Sequence, residues 1–379
     1  MITPPRQLAD FIPTFESLSS EVGNRMVVAG FDGFVDEFIS VVDKRSSETD
    51  YQAIPTITDF GTHVSKAAGR SSLREIVIQQ TDAGGCSVNL GDGLANLGVP
   101  LHLFSTLGNP IHPAFQPLLK KFAFYQSWGS EYGRTLAFEF QDGKLMFSAV
   151  TQLREFTPQL LDTILQDTTY ISACEQASLI ALTNWTLYPH MTACWKKLLT
   201  EVYSNLSNQP WFFFDLVDPT GRSQDAIQDM LATLPSFSTY GKTILGLNIN
   251  EAHIVSKNLG ITSTQDHPEE VQQQAALIRK KLAIDEVVIH ATQYACAASQ
   301  TETIHIDGPY CASPLKSTGA GDRFNAGYSL GRIHNRSLTD ALILGNACSG
   351  YFVRNATSAN PTQLKQFLHT WLANELDPT

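Results

Sequence analysis

The chain has 379 residues, a formal net charge of −11 and 43% hydrophobic residues, enough for a large core in two domains or in one α/β domain with an insertion. No apolar run approaches the roughly 18 residues of a membrane span, and acidity without a basic run excludes nucleic acid or an anionic membrane surface as the main partner. The start, Met1-Ile2-Thr3-Pro4-Pro5-Arg6, has no basic-then-apolar pattern, so the expected location is the cytoplasm, and six cysteines without Cys-x-x-Cys spacing suggest buried thiols, not a zinc site or a disulfide framework.

Residues up to about Val22 read as a short helix, apolar at Leu8, Phe11, Ile12, Phe15 and Leu18. Met26 to Phe31 is a buried first strand running into Asp32-Gly33-Phe34-Val35-Asp36. Ligands of open α/β sheets sit beyond the carboxyl ends of strands, so Asp32 and Asp36 are candidates for holding a polyhydroxy substrate. Either could equally be a turn acid that caps backbone groups.

Asp43 to Phe60 is polar and irregular, with an apolar patch at Ile54 to Ile57. A strand at Ile76-Val77-Ile78 leads to Gly84-Gly85, which feeds a helix of small residues through Gly98. Paired glycines there permit close approach of a ligand, and Asn89 could offer a donor and an acceptor to sugar hydroxyls or simply bond locally. Leu101 to Ser105 is the next strand. Arg134 to Phe140 and Leu145 to Val150 flank an Asp142-Gly143 turn, a hairpin signal that suggests a small β flap.

From Thr151 onward helices and apolar strands alternate: Pro158–Gln166 then Ser178–Leu182, His190–Ser204 then Trp211–Asp215, Arg222–Leu234 then Thr243–Leu247, and Pro268–Leu282 then Glu286–His290. Helices near 322–334, 338–353 and 363–376 follow. The pattern predicts an α/β fold, doubly wound, with a mostly parallel sheet covered by helices on both faces. The expected division is a core of residues 1–36, 61–130 and 152–379, with a β lid of 37–60 and 131–151 over the substrate.

Lys316-Ser317-Thr318-Gly319-Ala320-Gly321-Asp322 is a glycine turn opening a helix. Amide N–H groups at such a helix start attract anions, and Gly319, Ala320 and Gly321 leave room for a phosphate. Asp322 would repel that phosphate, which makes sense if it deprotonates a hydroxyl beside a phosphoryl group; alone, it could also be a helix cap. Gly241-Lys242-Thr243 is not a P-loop, because Ser236 stands where its first glycine belongs and the segment enters a strand.

In their order, Gly84-Gly85-x-x-x-Asn89 and Thr318-Gly319-Ala320-Gly321-Asp322 resemble the two signatures of the PfkB (ribokinase-like) carbohydrate kinase family, over roughly residues 26 to 361. The resemblance implies a ribokinase-like fold with a β-sheet lid and ATP-dependent phosphorylation of a sugar or nucleoside hydroxyl. It implies Asp322 as the base and Gly319, Ala320 and Gly321 as the anion hole. Asp36 or Asp32, Gly84, Gly85 and Asn89 would hold the substrate; Asn248, Thr318, Thr292 and Asn346 would line the nucleotide site. Asn248-Ile249-Asn250-Glu251 matches the family's Asn-x-x-Glu, with Glu251, and Asn248 through water, organising Mg2+; the same residues could merely start a helix. K+ is a further cation, and a homodimer joined through the lid a further association, that the resemblance implies.

The chain departs from the family at Lys316, where an acid is usual, at His290-Ala291-Thr292, where a glycine is usual, and at Arg323 and Asn325, where small or apolar residues are usual. These departures motivate a second reading, a catalytically silent sugar- or nucleotide-binding sensor on the same fold. Trp128 or Phe138 could stack on a ring or belong to core and lid packing.

Overall fold

The computed structural model describes residues 5–262 and 265–376. In chain order its strands are β1 (Met26–Gly30), β2 (Phe34–Arg45), β3 (Tyr51–Ala53), β4 (Ile76–Gly84), β5 (Leu101–Ser105), β6 (Phe124–Ser127), β7 (Gly133–Phe140), β8 (Gly143–Ala149), β9 (Ala177–Leu182), β10 (Trp211–Asp215), β11 (Lys242–Asn248), β12 (Glu286–His290), β13 (Tyr294–Ala298) and β14 (Thr303–Asp307). Nine of them form the central sheet in the order β14-β13-β12-β11-β10-β9-β1-β5-β6. From β6 to β12 neighbours are parallel, and β13 and β14 add an antiparallel edge.

Alternation along each central strand explains why both faces are covered. Val27, Ala29, Leu179, Ala181 and Phe213 enter one core, with Val88, Leu94, Phe324, Leu342 and Leu364 from helices. Val28, Ile180, Leu182, Phe212 and Phe214 enter the other, with Leu161, Trp195, Met230, Val255 and Ile278. A period of two on strands that are apolar throughout leaves no face for water. The chain leaves β1 for β5 on one side and returns to β9 on the other, so a crevice opens beyond the carboxyl ends of these strands. Asp32, Asp215, Asn248 and His290 all stand at such ends.

The second sheet runs β3-β2-β7-β8, with β4 also paired to β2. It departs from the expected division, because Ile76–Gly84 lies in the lid sheet and not in the core. Beyond Ile78 that strand reads Gln79-Gln80-Thr81-Asp82, with no apolar alternation to mark it. Its ladder to β2, from Phe34↔Gly84 to Val41↔Ile76, holds it instead. The Thr169–Gln176 helix and strands β6, β13 and β14 were also not expected; β13, Tyr-Ala-Cys-Ala-Ala, is fully buried by small residues that carry little strand preference. Trp128 sits among Phe31, Phe104, Phe156 and Tyr170, and Phe138 among Phe60 and Phe147, so both aromatics pack in protein. Among the described residues no helix is long and apolar enough to cross a membrane.

The helices Cys86–Asn96 and Ala320–Ile333 cross where a Cβ on Gly93 would lie 2.7 Å from the Ala326 Cβ. Gly93→Leu should therefore lower stability by about 1–3 kcal/mol through overpacking. Gly61, inside the Ile57–Lys66 helix with open space around it, is the contrast: Gly61→Ala should raise stability by about 0.5–1 kcal/mol. Denaturant midpoints of the two variants check both signs.

Candidate active site

The close crossing at Gly93 brings the starts of two helices together. Gly85 has φ 101° and Gly319 φ 88°, so each helix begins from a backbone turn that a side chain would strain. A Cβ at Gly319 would also lie 2.7 Å from Arg323 Nη1 and 3.3 Å from Asn89 Nδ2. Asn89 Nδ2 donates to Asp322 Oδ2 at 2.9 Å, which joins the two glycine segments directly.

The N–H groups of Gly319, Gly321 and Asp322 have no hydrogen-bond partner among the described residues. The amide of Ala320 instead donates to Ser317 O at 3.1 Å, so this member of the expected anion hole is turned back into its own turn. Three free donors at the start of a 14-residue helix form a place that can receive an anion. His290 closes one side: a Cβ on Gly321 would lie 3.0 Å from its ring. Burial pushes the His290 imidazole down to about 4, so it is neutral at physiological pH.

Arg323 and Asn325, two of the departures, prop this turn from behind. Arg323 Nη2 donates to Asp92 Oδ2 at 3.0 Å and its Nε to Ser358 Oγ at 3.1 Å, while its guanidinium lies 4.4 Å from the Phe352 ring. Lys121 Nζ also reaches Asp92, at 2.6 Å. Asn325 Nδ2 donates to Asp215 Oδ2 at 2.7 Å, next to the anion turn. Asp92 and Ser358 were not singled out in the sequence; Asp92 lay within reach as the residue one turn after Asn89.

The two candidate substrate acids differ. The Asp32 carboxylate is fully buried and accepts four hydrogen bonds, from Cys86 N, Ser87 N, Thr183 Oγ1 and Asn184 Nδ2 at 2.6–3.0 Å. It caps the Cys86–Asn96 helix and ties β1 to β9, which leaves it no lone pair for a substrate. Asp36, on the lid strand β2, is pushed above the usual carboxylate range by burial and lies within electrostatic reach of Lys316, Asp82 and Lys144. A Cβ at Gly84 would collide with its carboxylate.

Two cavities flank the anion turn. One, about 1100 Å³, lies between lid and core and is lined by Asn89, Asp82, Lys144, Lys316 and Arg323 among others. The other, about 800 Å³, is lined by Asn248, Thr292, Asn346, Ala320 and Gly321 among others. Ser317 borders both. Each is within or close to the size range of small-molecule pockets. The lid reaches the turn at two points: Lys316 Nζ pairs with Asp82 Oδ2 at 2.7 Å, and Lys144 Nζ donates to Thr318 Oγ1 at 2.7 Å. Lys316 thus has a local cause, a lid carboxylate that the sequence pattern does not connect to it.

Asn248 and Glu251 form a reciprocal capping box at the start of the Ile249–Asn258 helix, each side chain 2.9 Å from the other's backbone N. Glu251 is 4% exposed and Asp215 9%. Burial first, and the charge of Asp215 second, raise both Glu251 and Asp322 well above the carboxylate range; burial and then Asp32 raise Asp215. Buried acids that repel one another suit a cation. Among the described residues no three potential ligands are placed to hold a metal by themselves, and that donor set fits Mg2+, which keeps its waters and binds through one or two carboxylates and phosphates.

Raised carboxyl pKa values have a stability consequence. The folded state binds protons that the unfolded state has released, so stability is full below about pH 4 and falls as pH rises toward the raised values. Asp215→Asn removes one such charge, and Asn325, whose Oδ1 is buried without a partner, can flip its amide to meet it. The melting temperature of Asp215→Asn should therefore exceed that of the wild type at pH 8, with a smaller gain at pH 5; an equal gain at both would show that charge is not the cause.

A family model described as prokaryotic ketohexokinase matches residues 9–371. A ketohexokinase of Haloferax volcanii is 25% identical over 362 residues, covering 94% of both chains. Among solved structures, Arabidopsis thaliana ribokinase complexed with ribose and ATP superposes with a TM-score of 0.62 at 16% identity, over 91% of this chain and 99% of that one. A point mutant of Escherichia coli phosphofructokinase-2 superposes with a TM-score of 0.61 at 15% identity, over 92% and 99%. The fold is that of ribokinase-like sugar kinases, and the chain belongs to the prokaryotic ketohexokinase family.

Proposed function

We propose that this sugar kinase transfers the γ-phosphoryl group of ATP to a hydroxymethyl group of a ketohexose, with Asp322 as the base. The observation that carries the reading is the Asn89–Asp322 hydrogen bond beside three free helix-start N–H groups, with one cavity on either side. The ketohexose rests on the name of the Haloferax volcanii relative and of the family.

In this reading Asp36 and Asn89 hold sugar hydroxyls, Gly84 and Gly85 give the sugar its approach, and Asp32 acts from behind by fixing the Gly85 turn. Asp322 takes the proton of the attacking hydroxyl; its raised pKa makes it a stronger base than an exposed carboxylate. The amides of Gly319 and Gly321 receive the transferred group, and Thr318 borders it. Asn248, Thr292 and Asn346 face the nucleotide, and Glu251, with Asn248 through water, holds Mg2+, which when bound supplies charge neutralisation at the phosphates. The departures from the family pattern around the anion turn leave K+ without a supporting observation, so the reading omits it. ATP as donor fits a cytoplasmic setting. A homodimer through the lid is supported by exposed Ile76, Ile78, Met146 and Phe147, and sedimentation of Ile78→Lys against the wild type tests it.

With ketohexoses and MgATP, Asp322→Asn should lower kcat by about 10²–10⁴-fold while the protein still binds nucleotide. The wild-type kcat/KM should fall as pH drops, along a limb lying above the usual carboxylate pKa of about 4, since the base works only when deprotonated. Sugar-dependent ADP release across a pH series measures both. Wild-type and Asp322→Asn rates that coincide would remove Asp322 from the chemistry.

A further inference from the structure

Lys316 and Asp82 take no part in the phosphoryl transfer as read above, yet both face the cavity between lid and core. Asp82 lies on β4 directly opposite Asp36 on β2, and Gln80 directly opposite Phe38. Residues paired across an antiparallel ladder share a face, so the candidate sugar acid Asp36 has Phe38, Gln80 and Asp82 beside it on one side of the lid. Lys316 reaches the same patch from the core. Its Nζ is 2.7 Å from Asp82 Oδ2 and 5.5 Å from the centre of the Phe38 ring.

Both partners keep hydrogen-bonding capacity to spare. Among the described residues the Lys316 ammonium donates only to Asp82, and the Asp82 carboxylate accepts only from Lys316 on Oδ2 and from the Gln80 amide on Oδ1, at 2.6 Å. An ammonium has three donors and a carboxylate about four lone pairs, so about two sites on each remain open. The two side chains are 27% and 22% exposed. An ion pair so open to solvent stabilises a fold little, and this one is better placed to serve a ligand than to brace the lid. A donor and an acceptor held side by side match adjacent hydroxyls: one hydroxyl donates to the carboxylate while its neighbour accepts from the ammonium. Phe38 offers the apolar surface on which the carbon–hydrogen face of the same sugar can rest.

The geometry points to Lys316 and Asp82 as sugar-binding residues that together read a vicinal diol of the acceptor, with Phe38 beneath it. The assignment rests on the sugar kinase reading above and extends its binding site beyond Asp36 and Asn89. In a ketohexose the diol is that of the third and fourth carbons, the pair of adjacent hydroxyls left free in both the five- and the six-membered ring form. Lys316 comes from the core segment that ends in the anion turn, and Asp82 from the lid segment that ends in Gly84. The diol site is therefore complete only with the lid over the sugar, and the lysine that departs from the family pattern becomes a specificity determinant.

Steady-state kinetics with MgATP and three sugars, D-fructose and its deoxy analogues at the third and at the fourth carbon, test this in the wild type, Lys316→Met, Asp82→Asn and Lys316→Arg. Loss of either hydroxyl should raise the wild-type KM by about 10–100-fold, as for a hydrogen bond to a charged group. Lys316→Met and Asp82→Asn should raise the KM for D-fructose by a similar factor, with a smaller change in kcat. Each should then be nearly indifferent to the loss of one of the two hydroxyls, because that contact is already gone. Lys316→Arg keeps the cation and should keep the wild-type sensitivity; Asp82→Asn, which preserves side-chain size, reads the same contact if Lys316→Met does not fold. The assignment is overturned if the wild type tolerates both deoxygenations, or if each costs the variants as much as the wild type, which is the outcome for a pair that only holds the lid. A wild type without sugar-dependent ADP formation on any ketohexose would instead sink the kinase reading, and this assignment with it.

Discussion

The hydrogen bond between Asn89 and Asp322 joins residues 233 positions apart, and the arrangement of the site depends on it. It exists because two helices of small residues cross closely at Gly93 and Ala326, and because Gly85 and Gly319 let both helices start abruptly. The crossing sets free N–H groups, a carboxylate and an amide side chain around one point, between two cavities. A larger residue at any of those glycines would separate the groups before it touched a ligand.

Charge is the second constraint. Asp32, Asp215, Glu251 and Asp322 gather at the carboxyl ends of the strands, and burial first, with their mutual repulsion second, raises the pKa of three of them. A fold that minimised only its own energy would not keep such a cluster. It is explained if a cation and a phosphorylated ligand complete it, at a cost in stability when they are absent, as functional sites often show. Around this cluster the cations are nearly all paired, with Asp92 serving Arg323 and Lys121, and Asp82 serving Lys316.

Much of the core was legible in sequence because apolar strands such as Trp211–Asp215 and Glu286–His290 are buried on both faces and coincide with their runs. The turns at Gly84-Gly85 and Gly319–Gly321 were legible because positive φ restricts residue choice. The lid was half legible: the Asp142-Gly143 hairpin announced itself by turn chemistry, while β4 stayed hidden because its polar residues are held by a ladder and not by burial. Lys316, Arg323 and Asn325 looked like departures because their partners, Asp82, Asp92 and Asp215, lie 110 to 234 positions away. Long-range pairing of this kind has no local pattern. Asp32, a plausible sugar ligand by its place after β1, is committed to four donors that only the folded chain supplies.

The central claim is that this constellation moves a phosphoryl group from ATP to a ketohexose. Phosphorus NMR of the purified protein with MgATP and D-fructose addresses it directly. The account predicts that the γ-phosphate resonance is replaced by a phosphomonoester in one-to-one proportion with ADP. Inorganic phosphate as the product, or an unchanged ATP spectrum with fructose and every other ketohexose, would contradict it.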